Sequence, residues 1–328
     1  MLRLSTSSAW WIAAVLISAS GASCPTRQPP AVTAPSAFVG PPSIGDVLNV
    51  VNANSTRIQQ LQADNARLSI EGIPSMRASL ALQRPRSFRL RAQFVGLGEV
   101  LDLGSNQELF WALIDAPQMA TNIPRGIYYA RHDQYQSSQV SLLPIRPDWL
   151  VEAFGLPVLD ASHVHEGPWQ RGADQLEIRS RIPTFEGETG RITIIHAAYG
   201  WVLEQHSYDV RGQLVASSLT SNHRYYPEIA VSLPHRIEIR MPPPNRPFSL
   251  EIDTYSINQL RVDPSQLFAM PNYPGYPMFD LAAPGTMMPP GGPPSQPPAM
   301  PYPPQPSAER YPVTGMRPRY RGYSSGQY

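Results

Sequence analysis

The stretch from Met76 to Phe94 constrains this chain most. Met76, Ala78, Leu80 and Leu82 alternate with Arg77, Ser79, Ala81 and Gln83. After Pro85 the pattern restarts, with Phe88, Leu90, Ala92 and Phe94 alternating with Arg89, Arg91 and Gln93. Successive side chains of a strand point to opposite faces, so this spacing predicts antiparallel strands with one buried and one solvated face. A sheet with one apolar face must cover it with protein or with ligand. Further strands are expected at Arg67–Ile73, Glu99–Gly104, Glu108–Ile114 and Gly126–Arg131, then at Gln175–Ile182, Arg191–Ala197, Trp201–Asp209, Gln213–Arg224, His235–Met241 and Phe248–Tyr255. Pro147–Gly155 reads as a short helix, with Pro at its start and Gly at its end.

Ser43 opens a different periodicity. Ile44, Val47, Leu48, Val51, Ile58 and Leu61 recur at three- and four-residue steps, and Ser43 with Asp46 has the form of a capping box. The expectation is an amphipathic helix of about twenty residues lying on the apolar face, in particular on Met76, Leu80, Leu82, Phe88, Leu90 and Phe94. Asn52, Asn54, Gln59, Gln60 and Gln62 fall on its other faces.

Both flanks are rich in proline, of which the chain has 38. Arg3 followed by the apolar run Ala9–Ala19 has the length of a secretory signal rather than a membrane span. Small residues Gly21, Ala22 and Ser23 then precede Cys24, the sole cysteine. This order resembles the bacterial lipoprotein signal, although Gly21 stands where an aliphatic residue is usual. The resemblance implies cleavage after Ser23 and acylation of Cys24 by a diacylglyceryl group and a further chain such as palmitate. Pro25 and Thr26 lack the Asp that in familiar lipoproteins signals inner-membrane retention, so the resemblance favours the outer membrane, facing the periplasm. Three acyl chains hold a protein to a bilayer without help from charge.

All 26 basic residues are arginine, which removes lysine-dependent Schiff-base and P-loop chemistry. The net charge of +1 gives no electrostatic case for nucleic acid. Losing Arg3 with the signal leaves the mature chain formally neutral. His163 and His165 share a strand face, but a zinc site needs further ligands; Glu166, His196 and His206 are near only in sequence, and no metal or cofactor is expected. No Gly-x-Ser-x-Gly motif occurs, and no catalytic group is identified.

The order of signal, tether, amphipathic helix, strands and the Gly96-Leu97-Gly98 turn resembles the LolA/LolB-like lipoprotein-carrier superfamily, with Phe88–Arg91 matching its third-strand segment. The resemblance covers about residues 43–260. It implies an α+β fold: a half-open, curved antiparallel sheet or barrel covered by an amphipathic helix. It also implies a non-catalytic carrier that binds or relays acyl chains or lipoproteins. Met76, Leu80, Leu82, Phe88, Leu90, Phe94 and Trp111 are the expected ligand contacts, with Leu97 as a protruding tip.

The resulting plan is a signal peptide at 1–23, a Pro-rich tether at 24–42, the sheet domain at 43–268 and a Pro/Tyr/Gly-rich tail at 269–328. The tail reads as disordered, with Arg and Tyr available to anionic cell-wall polymer. The alternative is a structural envelope lipoprotein whose sheet is filled by its own side chains and whose tail makes the contacts.

Overall fold

In the computed structural model, residues 32–96, 98–115, 124–135, 147–242 and 247–283 are described. The chain divides into two units, Met1–Met287 and Met288–Tyr328, and every described residue lies in the first. Cys24, the signal, most of the tether, Leu97 and the chain beyond 283 therefore lie outside the described residues.

Helix α1 spans Ile44–Thr56 and begins at the expected capping box, in which Ser43 Oγ accepts from the Asp46 amide and the Asp46 carboxylate accepts from the Ser43 amide. Such a cap contributes about 1 kcal/mol. The helix is shorter than expected. Asn52, Asn54, Ser55 and Thr56 are weak helix formers, and Ile58 and Leu61 belong to the turn and strand that follow. Both asparagines hold the helix down rather than face solvent: Asn52 clasps the backbone of Leu159 through two hydrogen bonds, and Asn54 does the same to Ser232.

The strands that follow are β1 (Gln60–Ile70), β2 (Ile73–Gln83), β3 (Ser87–Phe94), β4 (Gly98–Ser105), β5 (Leu109–Ile114) and β6 (Gly126–Arg131). Two short helices, α2 (His132–Tyr135) and α3 (Pro147–Ala153), precede a second run of strands. That run is β7 (Val164–Arg171), β8 (Gln175–Thr184), β9 (Gly187–His196), β10 (Val202–Tyr208), β11 (Leu214–Tyr226), β12 (Val231–Arg240) and β13 (Phe248–Ile252). A two-residue β14 (Ser256–Ile257), helix α4 (Pro264–Leu267) and β15 (Met278–Asp280) complete the described chain.

All of these strands join one sheet, ordered β15-β6-β5-β4-β3-β2-β1-β13-β12-β11-β10-β9-β8-β7, with β14 also on β1. Neighbours are antiparallel except β15, which lies parallel to β6. Among the described residues β15 and β7 are the edges and do not pair with each other, so the sheet is open, as expected. Two meanders are joined in the middle by β1 pairing with β13, where Leu68 faces Leu250 and Ala66 faces Ile252.

Inner-face side chains of β1–β4 and of β11–β13 pack into one core with Trp149, Leu150, Val151, Phe154 and Leu156. Strands this far apart in the order can share so short a covering segment only if the sheet curves around it. Here the expectation for α1 is corrected. Its Val47 and Val51 pack on Leu159, Leu176, Ile178, Ile195 and Val202, toward the β7 end of the sheet. The face carrying Met76, Leu80, Leu82, Phe88 and Leu90 is covered by α3 and the turn after it.

The tail boundary also moves. Asp263 caps α4 with Pro264 at its first position, a strong start signal, and Leu267 and Phe268 settle on Ala81 of the outer face. The chain then crosses that face, where Met270, Tyr273 and Tyr276 cover Trp111, Leu113 and Ile127. β15 finally covers the β6 edge, and Leu281 is buried with Phe110, Tyr128 and Ala130. Proline removes backbone donors but not apolar side chains, so the stretch between α4 and β15 packs without joining the ladder.

Candidate functional site

The inner face is the candidate site. Register places Leu61–Leu82–Phe88, Ala63–Leu80–Leu90–Leu103 and Ala66–Ala78–Ala92–Leu101 as rows on one side of the sheet. From β1 the surface continues through Leu250 and Ile252 of β13 to Ile237 and Ile239 of β12. Met76, Leu80, Leu82, Phe88 and Leu90 are all at most 2% exposed, and Phe94 is half-buried against the same core. Trp111 does not join them. It faces outward with Leu113 and Ile127, because residues directly opposite in β4 and β5 share a face and Trp111 pairs with Gly104, whose missing side chain admits the indole.

Among the described residues, what covers this wide apolar surface is the helix Pro147–Ala153 and the turn that ends it. Arg84 fixes the turn from the end of β2, donating to the carbonyls of Ile58 and Leu156 at 3.0 Å each. Gly155, at φ +84°, lets the chain turn sharply off α3 against Pro234.

Toward β8–β10 the inner face becomes polar. Register sets Thr193 directly opposite Gln205 and Arg191 directly opposite Ser207, a block of four side chains beside the apolar surface. Thr193 and Gln205 are fully buried. This block holds the C-terminal end of α3: Gln205 Nε2 donates to the Glu152 carbonyl at 2.8 Å, and the neighbouring Ser218 hydroxyl donates to the Ala153 carbonyl at 2.6 Å. Arg191 pairs with the Glu152 carboxylate at 2.7 Å. Helix carbonyls left open at a C-terminus are thereby satisfied.

The outer face is polar and ion-paired. Asp102 is fully buried and accepts from Arg89 at 2.7 Å, from Tyr273 at 2.8 Å and from the Trp111 indole at 3.3 Å. Burial beside Glu99 and Asp102 pushes the Tyr273 hydroxyl far up, so it stays a hydrogen-bond donor. A groove of about 930 Å³ opens nearby across β1–β3, lined by Arg67, Arg77 and Arg91 together with Glu99, Glu251 and Asp253. Its charges are mixed and its walls exposed.

His196 and His223 both pack against the Trp201 ring, and the other histidines have separate partners. His165 contacts the Ser180 hydroxyl and the Asp160 carbonyl, His206 lies 3.1 Å from Glu204, and His196 accepts from the Ala198 amide. Among the described residues no group of three or more His, Cys, Asp and Glu is placed to hold a metal. His223 stacks flat on Trp201 at 4.8 Å, and burial lowers its imidazole to about 4. Among the described residues no helix is long and apolar enough to cross a membrane.

No protein-family model matches this chain, and no curated protein matches it. Solved structures do. One, described as an outer membrane lipoprotein-sorting protein domain from Vibrio parahaemolyticus, is 10% identical over 66% of this chain and 94% of its own, with a TM-score of 0.44. A LolA superfamily protein from Nitrosomonas europaea is 10% identical over 70% of this chain and 98% of its own, at the same TM-score of 0.44. A DUF1329 family protein from Desulfovibrio piger is 7% identical over 68% and 95%, again at 0.44.

Proposed function

We propose that this chain is a lipid-anchored, non-catalytic envelope protein that holds an acyl chain, free or attached to a lipoprotein, on the inner face of its sheet beneath α3. One observation carries the reading: among the described residues, a surface formed by Leu80, Leu90, Ile237, Ile239, Leu250 and Ile252 is packed against one short helix and its turn rather than a second layer. An isolated helix of that length is not stable by itself, so its place depends on what it covers. Displacing it exposes a continuous apolar cleft of the kind that takes a hydrocarbon chain. The signal ending before Cys24 supports export and anchoring, with the outer membrane as the favoured address, and the Arg and Tyr content of the tail supports contact with anionic cell-wall polymer.

The second reading, a structural lipoprotein with a filled sheet, is favoured by the depth of the cover itself, since Trp149, Leu150, Val151, Phe154 and Leu156 are at most 5% exposed. The two separate on purification without detergent, followed by solvent extraction and mass spectrometry. The carrier reading predicts a co-purifying acyl lipid near one per chain and saturable binding of a dansyl-labelled fatty acid. Lipid-free protein that binds no labelled fatty acid overturns it in favour of the filled sheet.

A further inference from the structure

The polar block on β9 and β10 is more than an anchor for α3. Four of its atoms are buried and have no hydrogen-bond partner among the described residues: Thr193 Oγ1, Gln205 Oε1, Ser207 Oγ and Arg191 Nε. Buried polar atoms are almost always partnered, because stranding one costs the desolvation it suffered on folding. Single exceptions are common in any protein. Four on side chains that are direct neighbours in register point instead to a molecule that is meant to meet them.

Their chemistry defines that molecule. Gln205 Oε1 accepts only, Arg191 Nε donates only, and the two hydroxyls do either, so the partner must both donate and accept. Arg191 and its 2.7 Å partner Glu152 cancel within the block, and the nearby Arg84 guanidinium is engaged by the Ile58 and Leu156 carbonyls, so the block itself offers no net charge to an anion. Ser218 and Ala216, the next positions outward on β11, lead directly from the block to the apolar surface under α3.

Resting on the acyl-chain reading above, we propose that Arg191, Thr193, Gln205 and Ser207 form a headgroup subsite for an uncharged, hydroxyl-bearing group, glycerol- or sugar-like, whose acyl chain lies on the neighbouring apolar face. The ligand class is a neutral glycerolipid or glycolipid, rather than a free fatty acid or a phospholipid. Thr193 and Ser207 supply selectivity. Gln205 and Arg191 divide their bonds between the ligand and α3, which couples headgroup binding to the position of the helix.

The test uses 1-monoolein and oleate, which share one chain and differ in headgroup, each displacing a dansyl-labelled fatty acid from the mature chain. Two lost hydrogen bonds correspond to about tenfold or more in affinity, so wild type should prefer 1-monoolein by about that factor. In Thr193→Val with Ser207→Ala the preference should collapse to near unity. Without ligand, Thr193→Val should also raise the unfolding midpoint by about 2–4 °C, since it removes a stranded hydroxyl at constant shape. Equal binding of both probes by wild type and variant overturns the subsite and leaves the acyl-chain reading standing. Binding of neither probe overturns both. A lowered midpoint in Thr193→Val with unchanged preference shows that internal water satisfies the block, and also overturns the subsite.

Discussion

Ending the chain after Met270 should unfold much of the outer face, although composition alone marks the residues beyond as dispensable. The cut removes Tyr273, Tyr276 and all of β15, together with Leu281, which is 1% exposed. Re-exposing one leucine costs about 1.5–3 kcal/mol. Losing the Tyr273 bond to buried Asp102 costs about 1.5–3 kcal/mol more, as is usual for a charged partner. Trp111, Leu113 and Ile127 also lose their cover, so the total exceeds about 5 kcal/mol, the lower bound of a typical domain's stability. At about 2–4 °C per kcal/mol for a domain of this size, the midpoint should fall by 10 °C or more. The assay is thermal unfolding followed by circular dichroism, comparing chains that start at Pro25 and end at Met270, at Ala283 and at Tyr328. Tyr273→Phe, which keeps the ring, should account for about 3–12 °C of the fall. If the chain ending at Met270 melts within 2 °C of the one ending at Ala283, the packing assigned to this segment is wrong.

Asp102→Ala should cost about 3–5 kcal/mol in denaturant titrations by leaving Arg89 buried without its partner, and Arg89→Met with Asp102→Leu should recover most of it. For His223, the folded pKa of about 4 lies below its unfolded value, so the unfolded state takes up the proton first and stability, full above pH 6.5, falls as pH drops toward 4. By pH 5 the loss is about 2 kcal/mol, and His223→Phe should flatten that limb of the midpoint-against-pH curve. Cys24→Ala should shift the protein from salt-washed membranes to the soluble fraction, where wild type stays with the membranes.

Strands β2 and β3 are legible because alternation survives in them: their large apolar residues, from Met76 to Leu82 and from Phe88 to Phe94, face in and each arginine faces out. It is broken in β1, where a bulge between Ala63 and Ala66 inserts one residue and shifts the phase, so periodicity alone carries the expected helix about seven residues past Thr56 into the strand. The covering role of α3 could not be read from its seven residues, since which helix meets which stretch of face is set by curvature and by long-range clasps such as Asn54 to Ser232. The polar block was hidden for a different reason. In β9, Ile192 and Ile194 alternate with Arg191 and Thr193, and apolar-in patterning would send the polar pair outward. Register with Ile178 and Ser180 of β8 sends them inward. The continuous apolar run Leu109–Ile114 carries no phase, so the outward direction of Trp111 is set by its register with Gly104 and not by its spacing.

The central claim is that an acyl chain lies on the inner face beneath α3. A fatty acid carrying a diazirine near its chain end, bound to the detergent-free protein and photolysed, reports its neighbours directly when labelled peptides are sequenced by mass spectrometry. Labels should fall on Trp149–Leu156 and on the strands bearing Leu80, Leu90, Ile237 and Leu250, and excess unlabelled fatty acid should compete them away. Labels confined to the outer face around Arg67 and Arg77, or none that compete, would contradict it.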